Sequence, residues 1–96
     1  MSREEIYEQI VKYFSDLPVK KVWIFGSFAR EEENVNSDID MLLEMETDIG
    51  MFTLGKYRSE LGGILNRKID VATIKKLRKD FYEKIEKDLL LVYSKK

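Results

Sequence analysis

Apolar residues at helical spacing open the chain. Ile6, Ile10, Phe14 and Leu17, with Tyr7 and Val11 alongside, predict an amphipathic helix with one buried stripe. Ser2 with Glu5 three residues later has the form of a capping box and starts it. Asp16-Leu17-Pro18 ends it, because proline lacks an N–H and restricts the residue before it. The continuous apolar run Val22-Trp23-Ile24-Phe25 suits a strand covered on both faces. Gly26-Ser27 breaks that run, and Phe28 to Glu32 reads as a short helix starting at the turn. Glu33 to Ser37 is polar and reads as a loop. Asp38 to Glu44 reads as the second strand, with Ile39, Met41 and Leu43 facing one way and Asp38 and Asp40 the other. After a turn at Glu46 to Gly50, Met51 to Leu65 reads as a helix with Leu54, Tyr57, Leu61, Ile64 and Leu65 inward, its last turn weakened by Gly62-Gly63. Lys68 to Thr73 is a short strand. Lys75 to Asp88 reads as a final helix with Leu77, Phe81 and Ile85 inward. Leu89 to Tyr93 suits an edge strand better than a helix extension. Residues 1–96 thus read as one α/β domain, without repeats or linkers.

Composition narrows the chemistry. The chain has no cysteine and no histidine. Disulfides, thiolate metal sites and the commonest general base are therefore excluded, and any metal must be a hard cation held by oxygen. The charged, helical N-terminus lacks a signal-peptide core and no apolar run reaches membrane-spanning length, so a cytoplasmic setting without a membrane partner is expected. A formal net charge of −1 supplies no field for holding a nucleic-acid backbone directly. The charge is unevenly spread: residues 31–50 carry eight acidic and no basic side chains, and residues 75–96 eight basic against four acidic. A divalent cation in the acidic block would relieve its self-repulsion.

The candidate chemistry lies in that block. Glycine at the end of a buried strand lets backbone approach a ligand, and a following helix start presents N–H groups to phosphate, with the Ser27 hydroxyl as a further donor. Arg30, about one helical turn on, would bring its guanidinium to the same side; alternatively it pairs with one of Glu31 to Glu33. Asp38 and Asp40 share a strand face roughly 6–7 Å apart. They are either a metal-binding pair or carboxylates at an exposed strand end capping nearby backbone. Asp70, between Ile69 and Val71, repeats the pattern. If its strand lies beside that of Asp40, it joins the pair as a ligand or accepts a proton from an attacking hydroxyl; alternatively it faces solvent on an edge strand.

Gly26-Ser27, ten further residues, then Asp38-Ile39-Asp40, in the run GSFAR…SDIDMLLE, resembles the signature of the nucleotidyltransferase fold of the DNA polymerase beta superfamily. Within it the chain is similar to minimal nucleotidyltransferase (MNT) antitoxins of HEPN–MNT toxin–antitoxin pairs. The resemblance spans Lys20 to Thr73. It implies a small mixed sheet flanked by helices, with Gly26, Ser27, Arg30 and Ser37 at the nucleotide. Asp38, Asp40 and Asp70 would form the catalytic set and bind Mg²⁺, two ions being expected. The substrate implied is a nucleoside triphosphate, ATP in the antitoxins, whose AMP is transferred to a tyrosine of a HEPN-type toxin with release of pyrophosphate. Two departures stand out. Many relatives carry glycine after the arginine, where this chain has Glu31, and larger members add a second domain that is missing here. The competing expectation is a binding module that neutralises its partner by occlusion alone.

Overall fold

The computed structural model describes residues 1–32 and 37–96; apart from Ser37, the loop expected over Glu33 to Ser37 lies outside the described residues. The regular elements are α1 (Arg3–Phe14), β1 (Val19–Phe25), β2 (Ile39–Met45), α2 (Met51–Leu65), β3 (Ile69–Thr73), α3 (Lys79–Ile85) and β4 (Leu90–Ser94). The strands form one mixed sheet in the order β3-β2-β1-β4. β1 pairs antiparallel with β2 and with β4, whereas β2 and β3 run parallel. A parallel pair cannot be closed by a tight turn, and α2 supplies the crossover.

One face of the sheet meets both long helices. Ile6, Ile10 and Phe14 of α1 and Tyr57, Leu61 and Leu65 of α2 pack on Val22, Ile24, Ile39, Met41 and Leu43. Strand alternation then puts Asp40 on the opposite face, along with Phe25, its partner across the β1–β2 ladder. The predicted capping box opens α1: the Ser2 Oγ accepts from the Glu5 amide at 3.1 Å, and the Glu5 carboxylate accepts from the Ser2 amide at 2.9 Å. Across the helix pair, the Tyr13 hydroxyl donates to Glu60 at 2.7 Å.

α2 has the predicted bounds, and the Gly62-Gly63 pair does not interrupt it. Instead Gly62 lies where the chain folds back: its carbonyl accepts from the Arg67 amide at 3.2 Å, and Asn66 caps the helix in the left-handed conformation at φ 53°. The edge strand expected near the C-terminus is present as β4.

Other expectations need correction. α1 stops at Phe14, and Val11 lies outside the buried stripe, as does Ile64 on α2. Trp23 and Phe25 are only half-buried, so β1 is covered well on one face alone. The helix expected over Lys75 to Asp88 is split into a 3₁₀ turn at Ile74–Lys76, the seven-residue α3, and a second 3₁₀ turn at Glu86–Asp88. Between the first turn and α3, Leu77 and Arg78 are extended. Lys75 bonds Asp48 at 2.9 Å and Lys76 the carbonyl of Ile49 at 3.2 Å, which ties the first turn to the segment between β2 and α2. Ile85 is buried as expected, whereas Phe81 is exposed.

The short helix expected over Phe28 to Glu32 is a single closed turn. The Glu32 amide donates to the Ser27 carbonyl at 2.9 Å and the Glu31 amide to the Phe28 carbonyl at 3.2 Å, while Glu31 takes φ 58°. Those paired bonds around a left-handed residue form a Schellman closure, which ends a helix as soon as it starts. Glycine normally occupies that left-handed position because it has no Cβ to strain, so the glutamate there works against its own backbone. Its ion pair with Arg3 is 3.7 Å long and exposed, and contributes little in return. Glu31→Gly is therefore expected to stabilise the fold by about 1 kcal/mol, read as a higher urea midpoint at unchanged slope; an unchanged or lower midpoint would refute the strain argument.

Candidate active site

The turn after β1 and the carboxylates of β2 touch. Gly26 has φ +78°, and a Cβ built on it would come within 2.5 Å of the Asp40 Oδ2. Only glycine permits both the backbone angle and that approach. Asp40 lies directly across the parallel ladder from Asp70, in a register that also matches Ile39 with Ile69 and Met41 with Val71. Asp38 precedes β2 by one residue and is half-buried. The three aspartates singled out in the sequence thus share one end of the sheet, beside the Gly26-Ser27 turn.

The electrostatics are strained in a way that suits a cation. The Asp40 carboxyl is held above the ordinary carboxylate range, chiefly by burial and then by the negative charges of Asp70 and Asp38, with Arg30 opposing them. Arg30 itself is committed elsewhere, bonding Asp88 at 2.9 Å and Glu32 at 3.2 Å. The alternative in which it pairs with a neighbouring glutamate is therefore present in the structure. Asp70 is largely exposed, as its edge-strand position allows, and its side chain lies 4.0 Å from the Arg58 guanidinium on α2. Ser37 contributes its carbonyl to the Arg67 guanidinium at 2.9 Å.

Among the described residues no three acidic side chains stand close enough to grip a metal ion as they are placed. The donor set nevertheless fits a hard divalent cation in its chemistry: carboxylate oxygens only, those of Asp38 and Asp40 half-buried.

Several residues that build the site are not evident in the sequence. Phe28 is buried, under the Arg3 guanidinium at 4.1 Å and the Arg67 guanidinium at 5.4 Å from its ring centre. Arg3 also bonds the Phe28 carbonyl at 2.8 Å. This clamp fastens the turn to α1 and to the end of α2, and no local spacing signals it because its members come from three separate elements. Phe81 stands over the site from α3, edge-to-face with Phe25 at 6.2 Å. Trp23 and Tyr93 are half-buried, while Phe52 is 98% exposed.

The model of the polymerase beta nucleotidyltransferase domain matches residues 8–96. The chain belongs to the polymerase beta nucleotidyltransferase family. Relatives in Methanocaldococcus jannaschii include two provisionally named protein adenylyltransferases. One is 33% identical, covering 92% of this chain and 95% of the relative, and the other 36% identical, covering 77% and 76%. Among solved structures, the nucleotidyltransferase superposes on a chain of a toxin–antitoxin crystal structure with AMP-PNP at a TM-score of 0.84. Identity there is 15%, covering 94% of this chain and 74% of that one. A complex of tri-AMPylated Shewanella oneidensis HEPN toxin with MNT antitoxin gives 0.80 at 12% identity, covering 98% and 74%. These likenesses confirm the nucleotidyltransferase fold, and its mixed sheet flanked by helices. Among the described residues, no helix is long and apolar enough to cross a membrane.

Two glycines make a matched test of the turn. Gly26→Ala is expected to cost about 1–3 kcal/mol, from its left-handed backbone and the collision with Asp40. In Gly55→Ala, within α2 and with nothing within 4 Å of the new Cβ, the same substitution should stabilise by about 0.5–1 kcal/mol. Equal effects at the two sites, measured by urea denaturation, would show that the Asp40 contact is not a constraint.

Proposed function

We propose that this nucleotidyltransferase transfers AMP from ATP to a tyrosine hydroxyl of a HEPN-type toxin, acting as its antitoxin with Mg²⁺ as cofactor. The observation that carries this reading is the contact between the Gly26 turn and Asp40, with Asp70 in register beside it. A phosphate-approachable backbone and a carboxylate cluster then meet at one point of the sheet. The names of the archaeal relatives support adenylyl transfer, and the fold shared with toxin–antitoxin chains supports a protein acceptor.

In this reading the backbone and hydroxyl at Gly26 and Ser27 hold the β- and γ-phosphates, and Arg30 and Ser37 border the nucleotide. Asp38, Asp40 and Asp70 would hold two Mg²⁺ ions, which supply positive charge against that building on the phosphoryl oxygens. The phenolic oxygen forms its bond to the α-phosphorus as the bond to pyrophosphate breaks, and the phenolic proton passes to Asp70, since the chain has no histidine to take it. Arg30 would have to release Asp88 or Glu32 to reach a phosphate. That commitment favours a second reading, in which the chain silences its partner by covering it.

The two readings separate experimentally. With Mg²⁺ and the co-purified partner, label from α-labelled ATP should appear on the partner and label from γ-labelled ATP should not. Asp38→Asn and Asp40→Asn should each lower the transfer rate by at least about a hundredfold while the partner still co-purifies. Full protection against the partner by these inactive variants would assign neutralisation to occlusion.

A further inference from the structure

The two edges of the sheet are built differently. β3 carries Asp70 at its second position and follows Lys68, charges of the kind that keep an edge strand from pairing with another chain. β4 has no charged residue and no proline, and Leu89 ahead of it is apolar too. Its inner side pairs with β1, and among the described residues no strand lies beyond it. Such an edge is a template for one more strand.

Its side chains agree with its backbone. Leu90 pairs with Ile24, whose side chain is in the core, so it lies on the helix side of the sheet. Leu91 pairs with Trp23 and lies on the other side. They are 40% and 50% exposed. α1 packs beside β4 and adds a third apolar position. Val11 and Tyr13 stand about 200° apart around that helix. With Tyr13 turned to Tyr57 and Glu60 of α2, Val11 turns the other way, toward the β4 side, and is exposed. Apolar surface thus follows the open edge on both faces.

Charge decides which occupant fits. Glu86 and Asp88 precede the strand with Lys87 between them, and Lys95 and Lys96 follow it. One end of the strand is therefore net acidic and the other basic. Laid antiparallel about Val92, two copies set Lys96 of each opposite Asp88 of the other, whereas laid parallel they set like ends together. A two-fold interface needs this property, because one patch must complement itself.

We propose that β4 pairs with β4 of a second copy of this chain, antiparallel about a two-fold axis normal to the sheet, so that two four-stranded sheets become one. The pairing covers Leu90 and Leu91 and keeps both α1 helices on one face, their Val11 flanks toward each other. The carboxylates lie on β2 and β3, beyond β1 from this edge, so both sites stay open. The inference is independent of the adenylyl-transfer reading.

Sedimentation equilibrium of the intact protein between about 1 µM and about 1 mM should show a reversible dimer at twice the chain mass. In a sample mixed from labelled and unlabelled chains, intermolecular NOEs should connect β4 with β4. Leu91→Lys and Leu90→Lys, each verified as folded by cooperative unfolding, should weaken the dimer at least about tenfold. Phe52→Lys, which removes the most exposed apolar side chain on α2, should leave it unchanged. A monomer throughout the range, a dimer broken by Phe52→Lys but not by Leu91→Lys, or intermolecular NOEs that bypass β4 would each overturn the proposal. Slow exchange of the β4 amides that appears only when a co-purified partner is bound would give the edge to that partner, and would overturn it too.

Discussion

The approach of the Gly26 backbone to the Asp40 carboxylate is the constraint on which this site depends. Two segments separated in sequence meet there without room for a methyl group, and the meeting fixes the rest. It requires a left-handed glycine at the end of β1, it sets where the chain can turn, and it holds the turn against the strand carrying the carboxylates. The clamp on Phe28 then secures the other end of the turn. Arg3 and Arg67 flank that ring from α1 and from just beyond α2, so the turn is braced by both helices that build the core.

The charges around the turn are arranged to leave Asp40 without a committed cation. Arg30 is near enough to oppose the burial and repulsion that raise the Asp40 carboxyl, yet its hydrogen bonds go to Asp88 and Glu32. Arg58 is nearest to Asp70, at the long limit of an ion pair. A half-buried carboxylate whose neighbours are negative is costly to keep ionised, and a bound cation would remove that cost directly.

The parts of this arrangement legible in the sequence were those set by local periodicity. Alternation alone put Asp40 opposite the core face of β2, and a capping box and an apolar stripe marked α1. The expected third strand beside the second is present, with Asp70 in register. What escaped was decided by non-local contacts. Phe28 to Glu32 has helical composition, but the left-handed Glu31 closes the turn after one round. Glu31 was visible as added negative charge, while its meaning was a backbone angle. Lys75 to Asp88 has helical spacing too, but Lys75 and Lys76 bond the segment ahead of α2 and the helix restarts later. Phe81 was placed inward by that spacing and instead stands over the carboxylates.

The parallel pairing of β2 with β3 bears on folding order. Asp40 and Asp70 are separated by the whole of α2, and hydrogen-bonded register, not a loop, brings them opposite each other. Parallel crossovers close slowly because chain entropy is lost before their contacts form. A nascent or partly folded chain can therefore contain the Gly-Ser turn and the first two aspartates, yet lack the apposition of Asp40 with Asp70. The two carboxylates are brought together only once β3 has docked on β2, whatever the state of β4 at the far edge.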